Sequence, residues 1–400
     1  MEGVTAPVGR PRRVGLLVTI GLLSAFGPFG TDMYLPAMPQ LAAELGAGDV
    51  ETQLTLVAYL VGLGGGQLFW GPLSDRIGRR GPILIGTIGY IAASIACAIT
   101  PTAWLLVAVR LAQGILGSAG IVVGRAVVRD LYEGDELARI FSRLTIVFGI
   151  APIIAPVIGA GLLTFTDWRG TFLALALLGA ILSAAALLLV PDTLDPAHRI
   201  HGRSPEMREA WRALPRSPRF LRYGGIGVIA QVGLLAYISM ISLVLQGEWG
   251  LDATAFSLWF AVNSIGSILG GQAGGWLVHR IAPRRMLPVS IAASAVAGAI
   301  VTAAALLGGP FWLLEIGLFL CVLSFFVGTP LTTALALEPF HRGAGTAAAV
   351  MGSAQFVVGS IAPILIALAF GTTTLVMGAT MLGAAAVALL VAVLPAARRG

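Results

Sequence analysis

Apolar residues run through this chain in long blocks separated by short polar breaks. The breaks divide it into twelve hydrophobic segments, at roughly 14–38, 50–72, 81–100, 103–124, 138–164, 168–190, 220–247, 253–278, 286–308, 311–337, 345–370 and 373–394. Each is near the ~20 residues a helix needs to cross a hydrocarbon core ~30 Å thick. The segments are too long and too uniformly apolar for barrel strands, so helices are the predicted spanning element. The longest polar stretch, 191–219, splits them six and six, into an N-terminal half (1–190) and a C-terminal half (220–400). Within it, Ser204 and Pro205 read as a helix start. Met207, Ala210, Trp211 and Leu214 follow at helical spacing up to Pro215, which predicts a short amphipathic helix on the membrane surface.

The two halves repeat each other weakly. GPLSDRIGRR at 71–80 follows the second segment, and GWLVHRIAPRR at 275–285 follows the eighth. Ala155-Pro156 in the fifth segment is echoed by Ala362-Pro363 in the eleventh. Glycines at four-residue spacing (Gly62 and Gly66; Gly266, Gly270 and Gly274) predict close helix packing. The expected fold is therefore all-α and membrane-integral, with twelve transmembrane helices in two pseudo-symmetric six-helix halves. Secondary transporters use that arrangement, with the cavity between the halves.

Composition sharpens the picture. The chain is 57% hydrophobic and only 11% charged, with a mean hydropathy of +0.91, against about 25% charged for a soluble domain. All its basic residues are arginine, and they gather beside one set of segment ends. The opposite set holds one arginine, Arg169, against six acids: Glu44, Asp49, Glu51, Asp167, Glu248 and Asp252. This asymmetry predicts that both termini are cytoplasmic and that the first segment is a retained span in an inner (cytoplasmic) membrane. The basic pI reports topology and contact with anionic lipid, not nucleic acid. Cys97 and Cys321 lie within segments, so no disulfide framework is implied.

Few ionisable groups lie deep in the segments. Asp32, in GPFGTDMYLPAMP, is ~9 Å from the end of segment one, and Arg110 is ~10 Å into segment four from the same side. Opposite charges at one depth predict either a direct ion pair or a shared wet cavity. A static salt bridge is the bland reading. The functional one has Asp32 binding and releasing a proton as the field of Arg110 changes between states. His198, His201, His279 and His341 all fall at the arginine-rich side and no lysine exists, so a proton carrier must be a carboxylate. Glu315 is either interfacial or a participant in transport, and Glu338 reads as a loop contact. Tyr34, Tyr59, Gln113, Gln231, Tyr237, Asn263 and Gln355 are candidates for the substrate cavity, because amides and phenols bind amphipathic ligands without demanding a charge. Each is singly as consistent with a helix–helix hydrogen bond. In GPLSDRIGRR, Asp75 is placed to pair with Arg76, Arg79 or Arg80, between Gly71 and the turn at Gly78. Such a cluster can latch helices in one state and break in another.

The sequence offers no metal-ligand set, no nucleotide loop and no nucleophile–base pair within the segments, so no cofactor is expected and an enzyme or a single-chain ATP-driven pump is disfavoured.

These residues together resemble the major facilitator superfamily. GPLSDRIGRR is similar to its loop 2–3 signature, through Gly71, Leu73, Asp75, Arg76, Gly78, Arg79 and Arg80. RLAQGILGSAG (110–120) and GIAPIIAPVIGAG (149–161) resemble the span-four and span-five motifs of its drug:proton antiporters. The second carries Pro152, Pro156 and Gly159, with Ala155 where many members have glycine. TDMYLPAMP, GQLFWGPLSDR, GRAVVRDLY and GAGTAAAVMG resemble the bicyclomycin- and chloramphenicol-resistance (Bcr/CflA) branch. The resemblance implies a multidrug exporter that expels small neutral or cationic drugs against inward proton flow, and the expected working unit is a monomer. It places proton coupling at Asp32 and Arg110, a latch for the outward-facing state at the Asp75 cluster, and a leak-limiting bend at Pro156. The loop after segment eight departs from the pattern, with His279 and Ala282 where the aspartate and glycine would be, so any latch there is weaker. Transport of an endogenous metabolite in either direction is the alternative, since the fold does not fix direction.

Overall fold

The helices follow the apolar blocks closely in a computed structural model that describes residues 10–195, 197, 199, 209, 211–278, 280–340 and 344–394. Among these residues the chain is helical with no strand. Spans two to six are Asp49–Ile77, Arg80–Ala98, Ala103–Leu131, Gly134–Leu163 and Trp168–Leu189; spans eight to twelve are Ala253–Leu277, Pro283–Leu306, Phe311–Leu337, Ala344–Phe370 and Thr374–Val393. Span seven, Pro218–Leu243, runs on into a wide turn at Val244–Glu248. Most of the amphipathic helix predicted for the linker, and His279, lie outside the described residues. The linker's end is a single tight turn, Leu214–Arg216, before span seven.

Span one is not one helix. It consists of Arg10–Ser24, Phe26–Asp32, the tight turn Leu35–Ala37 and Met38–Leu45, and it bends by 41° at Ala25. Pro28 explains the bend: it cannot donate to the carbonyl four residues back, and its ring crowds that turn. Pro36 acts likewise further along. Carbonyls at the broken stretch are met by side chains from other spans. Tyr59 donates to Phe26 O at 2.7 Å, Arg110 to Gly30 O at 2.9 Å and Ser242 to Leu35 O at 2.5 Å. A lipid-facing helix could not leave these groups free.

Close packing in the N-terminal half relies on glycine. A Cβ on Gly62 would collide with the Leu111 carbonyl, and one on Gly114 with the Tyr59 carbonyl, so spans two and four touch backbone to backbone. That contact holds Tyr59 and Arg110 on facing helices. Between halves, span two packs on span eleven and span five on span eight. Ser264 donates to Pro152 O at 3.3 Å in the second of these seams. At the end of the bundle away from the arginines, here termed the far face, the halves are also hydrogen-bonded, by Ser242 to Leu35 and by Gln53 to Thr372 at 2.6 Å. At the arginine-rich face every ion pair among the described residues stays within one half, stays within the linker or joins the linker to the half beside it. The halves are thus fastened at the far face.

Candidate functional site

Arg110 sits at the centre of the N-terminal half with no exposed surface. Its guanidinium is satisfied by three neutral oxygens: Gln113 Oε1 at 2.7 Å, Gly30 O at 2.9 Å and Thr55 O at 3.3 Å. The rings of Tyr59 (4.2 Å), Tyr34 (5.1 Å) and Phe172 (5.5 Å) surround it. Hydrogen bonds to a charged group contribute ~1.5–3 kcal/mol each, and ring faces add cation–π attraction. The cage itself is braced. Gln113 donates to Ser94 at 2.7 Å, and the Tyr34 and Thr55 hydroxyls lie 2.6 Å apart.

Asp32 ends the helix Phe26–Asp32 and is 5% exposed. Its Oδ1 accepts from the Thr31 hydroxyl at 2.7 Å, and it enters no ion pair among the described residues. The depth match between Asp32 and Arg110 does not take the form of a salt bridge here. Arg110 grips the backbone two residues before Asp32 instead. The position of the carboxylate is therefore coupled to the guanidinium through the broken span, and its charge is not cancelled by it.

Other candidates divide between the halves. Tyr34, Tyr59 and Gln113 belong to the arginine cage. In the C-terminal half, Tyr237 of span seven stacks on Phe260 with ring centres 5.8 Å apart. Asn263 of span eight donates to Glu315 of span ten at 3.0 Å. Tyr237 lies within electrostatic reach of both Glu315 and Asp32. Gln231 packs against Gly359, and Gln355 beside Gly227 lines a cavity inside the C-terminal half. In span five, Pro152 and Pro156 are internal, and a Cβ on Gly159 would strike the Met33 carbonyl, beside Asp32.

The loop after span two is built around Arg79. Its guanidinium meets Asp75 at 2.5 Å and Asp130 of span four at 2.8 Å. Burial opposes that charge, yet the carboxylates of Asp130 and Asp75 outweigh it and hold the Arg79 pKa above its ordinary value. Gly78 has φ +95°, a conformation other residues resist, and a Cβ there would strike Asp192. Asp192 caps the turn by accepting from Arg79 N at 2.7 Å. Arg80 reaches the Leu187 carbonyl at 2.6 Å, Gly71 faces Val122, and Arg76 lies in the last turn of span two. Asp75 therefore bonds to Arg79 rather than to Arg76 or Arg80. Sequence reasoning missed Asp130 and Asp192, although Asp130 lies in the quoted GRAVVRDLY. In the C-terminal half Glu338 meets Arg284 and Arg219 at 3.2 and 3.4 Å. Replacing Arg79 with alanine leaves Asp75 and Asp130 without a shared cation. The expected loss is about 1–3 kcal/mol, read as a lower unfolding temperature of the purified protein.

A bundle of twelve spans with ionisable groups buried toward its centre is the frame of a secondary transporter. Residues 20–363 match the family model of the Major Facilitator Superfamily, and the chain belongs to that family. It is 34% identical over 381 residues to an uncharacterized MFS-type transporter of Bacillus subtilis, YdgK, covering 94% of this chain and 93% of that one. It is 32% identical over 357 residues to a bicyclomycin resistance protein homolog of Haemophilus influenzae, covering 88% of each. The crystal structure of a D-xylose-proton symporter shares the fold, with a TM-score of 0.75 at 14% identity over 94% of this chain and 97% of that one. The protein is accordingly a multi-pass bacterial membrane protein of transporter family.

Proposed function

We propose that this protein is a secondary active multidrug exporter of the Bcr/CflA branch. It exchanges small amphipathic antibiotics of the bicyclomycin and chloramphenicol type for protons by alternating access. The observation that carries the reading is Asp32: a buried carboxylate with no paired cation, placed where span one is broken. A permanently ionised, unpaired carboxylate at that depth is costly, at least about 2.5 kcal/mol on insertion scales. A group that is neutral when enclosed and charged when wet avoids that cost and moves a proton in doing so. The relative named for bicyclomycin resistance supports the substrate class.

With the arginine-rich face cytoplasmic, as the charge pattern predicts, the described state is fastened on its outer side. In the outward state the Ser242–Leu35 and Gln53–Thr372 bonds open and Asp32 takes a proton as drug leaves. In the inward state drug enters between the halves and Asp32 gives the proton to the cytoplasm. Arg110 carries the change by pulling the Gly30 backbone as spans one and four shift. The Asp75 cluster, already joined in the described state, braces the arginine-rich ends of spans two and four as the halves rock. The protein acts as a monomer and not as an enzyme.

The test is accumulation of chloramphenicol in cells that lack their own exporters. Cells expressing the protein are expected to hold severalfold less drug, and an uncoupler is expected to abolish the difference. Equal accumulation of every antibiotic tried would turn the reading toward an endogenous metabolite.

A further inference from the structure

Proton coupling through Asp32 leaves a second deeply placed carboxylate unused. Glu315 is 5% exposed, near the far-face end of span ten. Its Oε2 accepts one hydrogen bond, from Asn263 Nδ2 at 3.0 Å, and its Oε1 is fully enclosed without a partner. We propose that Glu315 is a second proton-binding site, so that the exporter carries one proton in each half per transport cycle. This rests on the antiport reading above.

Its surroundings carry the inference. Span ten packs on spans seven, eight and nine, and lightly on eleven. Span seven brings Tyr237 to Glu315, and its remaining ionisable groups, Arg219, Arg222 and Tyr223, lie in its first two turns at the arginine-rich face. Span eight has no ionisable side chain, and span nine has Arg284 and Arg285 only at its start. Span eleven has none, and span ten itself adds Cys321. Beyond span seven, Glu248 is occupied with Thr374, accepting from its N–H at 2.7 Å and its hydroxyl at 2.9 Å. Among the described residues, then, no cation balances Glu315. An ionised carboxylate with one neutral donor and one empty oxygen is strongly penalised in such a place. The protonated acid is penalised far less. In the state fastened at the far face Glu315 therefore holds its proton.

A purely structural carboxamide partner for Asn263 would be served better by glutamine, which leaves no acidic group to neutralise. A cavity with serine and threonine in its lining lies further along the same span. A cavity inside the C-terminal half begins at Cys321, six residues and ~9 Å along span ten from Glu315. Ser290, Ser294, Ser324, Thr329 and Thr332 are among its lining residues, and the Ser294 and Ser324 hydroxyls lie 2.8 Å apart. Hydroxyls both donate and accept, so they can relay a proton toward the arginine-rich face. On the other side Phe311, one turn beyond Glu315, packs on Trp249 and Trp259 at 5.6 and 5.3 Å. That cluster shuts the far-face approach. The proton arrives from water at the far face when these rings part, binds at Oε1, and leaves by the cavity inside the C-terminal half while drug crosses the other way.

The experiment is proton and chloramphenicol flux in proteoliposomes, with wild type beside Glu315→Gln. Two protons per neutral drug are expected for wild type and one for the variant. Under a gradient of one pH unit the limiting drug ratio falls from about hundredfold to about tenfold, each proton contributing a factor of ten. An active Glu315→Gln protein with the wild-type ratio overturns the proposal. A second readout does not depend on transport: infrared titration of purified Asp32→Asn protein, which leaves Glu315 as the carboxyl in the interior of the spans. A protonated-carboxyl band that disappears at alkaline pH is expected, and its absence overturns the proposal even if Glu315→Gln fails to fold. If wild type moves no protons with any drug, the antiport reading fails, and the infrared titration still decides whether Glu315 binds a proton.

Discussion

Arg110→Ala protein is expected to lose transport altogether and to be destabilised by roughly 2–5 kcal/mol, the sum of partly unmet acceptors in a dry interior. The substitution strips a donor from Gln113 Oε1, Gly30 O and Thr55 O at once. It also leaves an opening between the Tyr34, Tyr59 and Phe172 rings. Water entering the opening recovers some of the loss, which sets the lower bound. Arg110→Lys is not a conservative repair. A lysine ammonium is a point charge without the planar fork that reaches three oxygens while stacking between rings. Thermal unfolding of the two purified variants checks this. Lysine is expected to recover less than half of the lost stability and none of the coupling, because the grip on the Gly30 carbonyl links Arg110 to the Asp32 segment.

Asp32→Asn is the second large effect, and of a different kind. Asparagine is nearly the same size, and its carbonyl can still accept from Thr31, so the protein is expected to fold and to bind drug. What disappears is the ability to alternate between neutral and charged. Active expulsion against a gradient is expected to fall steeply, at least to the one-proton limit left by Glu315, in drug-accumulation assays. Facilitated exchange of labelled for unlabelled drug, which needs no net proton movement, is expected to survive. Loss of both would assign Asp32 to substrate binding.

The fold was legible in the chain because bilayer thickness imposes a length on every apolar block, and the polar breaks mark where each block ends. Glycine spacing likewise announced close contact, seen most plainly where Gly62 and Gly66 bring span two onto the span-four backbone. Segment one read as a single span; its Pro28 and Pro36 signal freed carbonyls, but the bend falls at Ala25 and depends on which side chains take those carbonyls. Within the site, residue type and depth singled out Asp32 and Arg110. They could not tell a direct pair from a coupling through backbone, since both put opposite charges at one level. Gln113 was readable as polar and inward, but its commitment to Arg110 and Ser94 is set by helix rotation, which hydropathy does not encode. Asp130 and Asp192 lie 51 and 113 residues from Arg79 and join it only through folding. Near the start of span ten, Glu315 was equally consistent with an interface and with an interior until its burial against Asn263 was known.

Proton release from inside-out membrane vesicles on addition of chloramphenicol or bicyclomycin tests the central claim most directly. Proton loading of the lumen is set up first, and wild type and Asp32→Asn are measured side by side. The account predicts a drug-dependent loss of luminal protons in wild type and a loss of half that size or less in the variant. A drug-dependent signal of equal size in both would contradict it, and would remove Asp32 from the coupling mechanism.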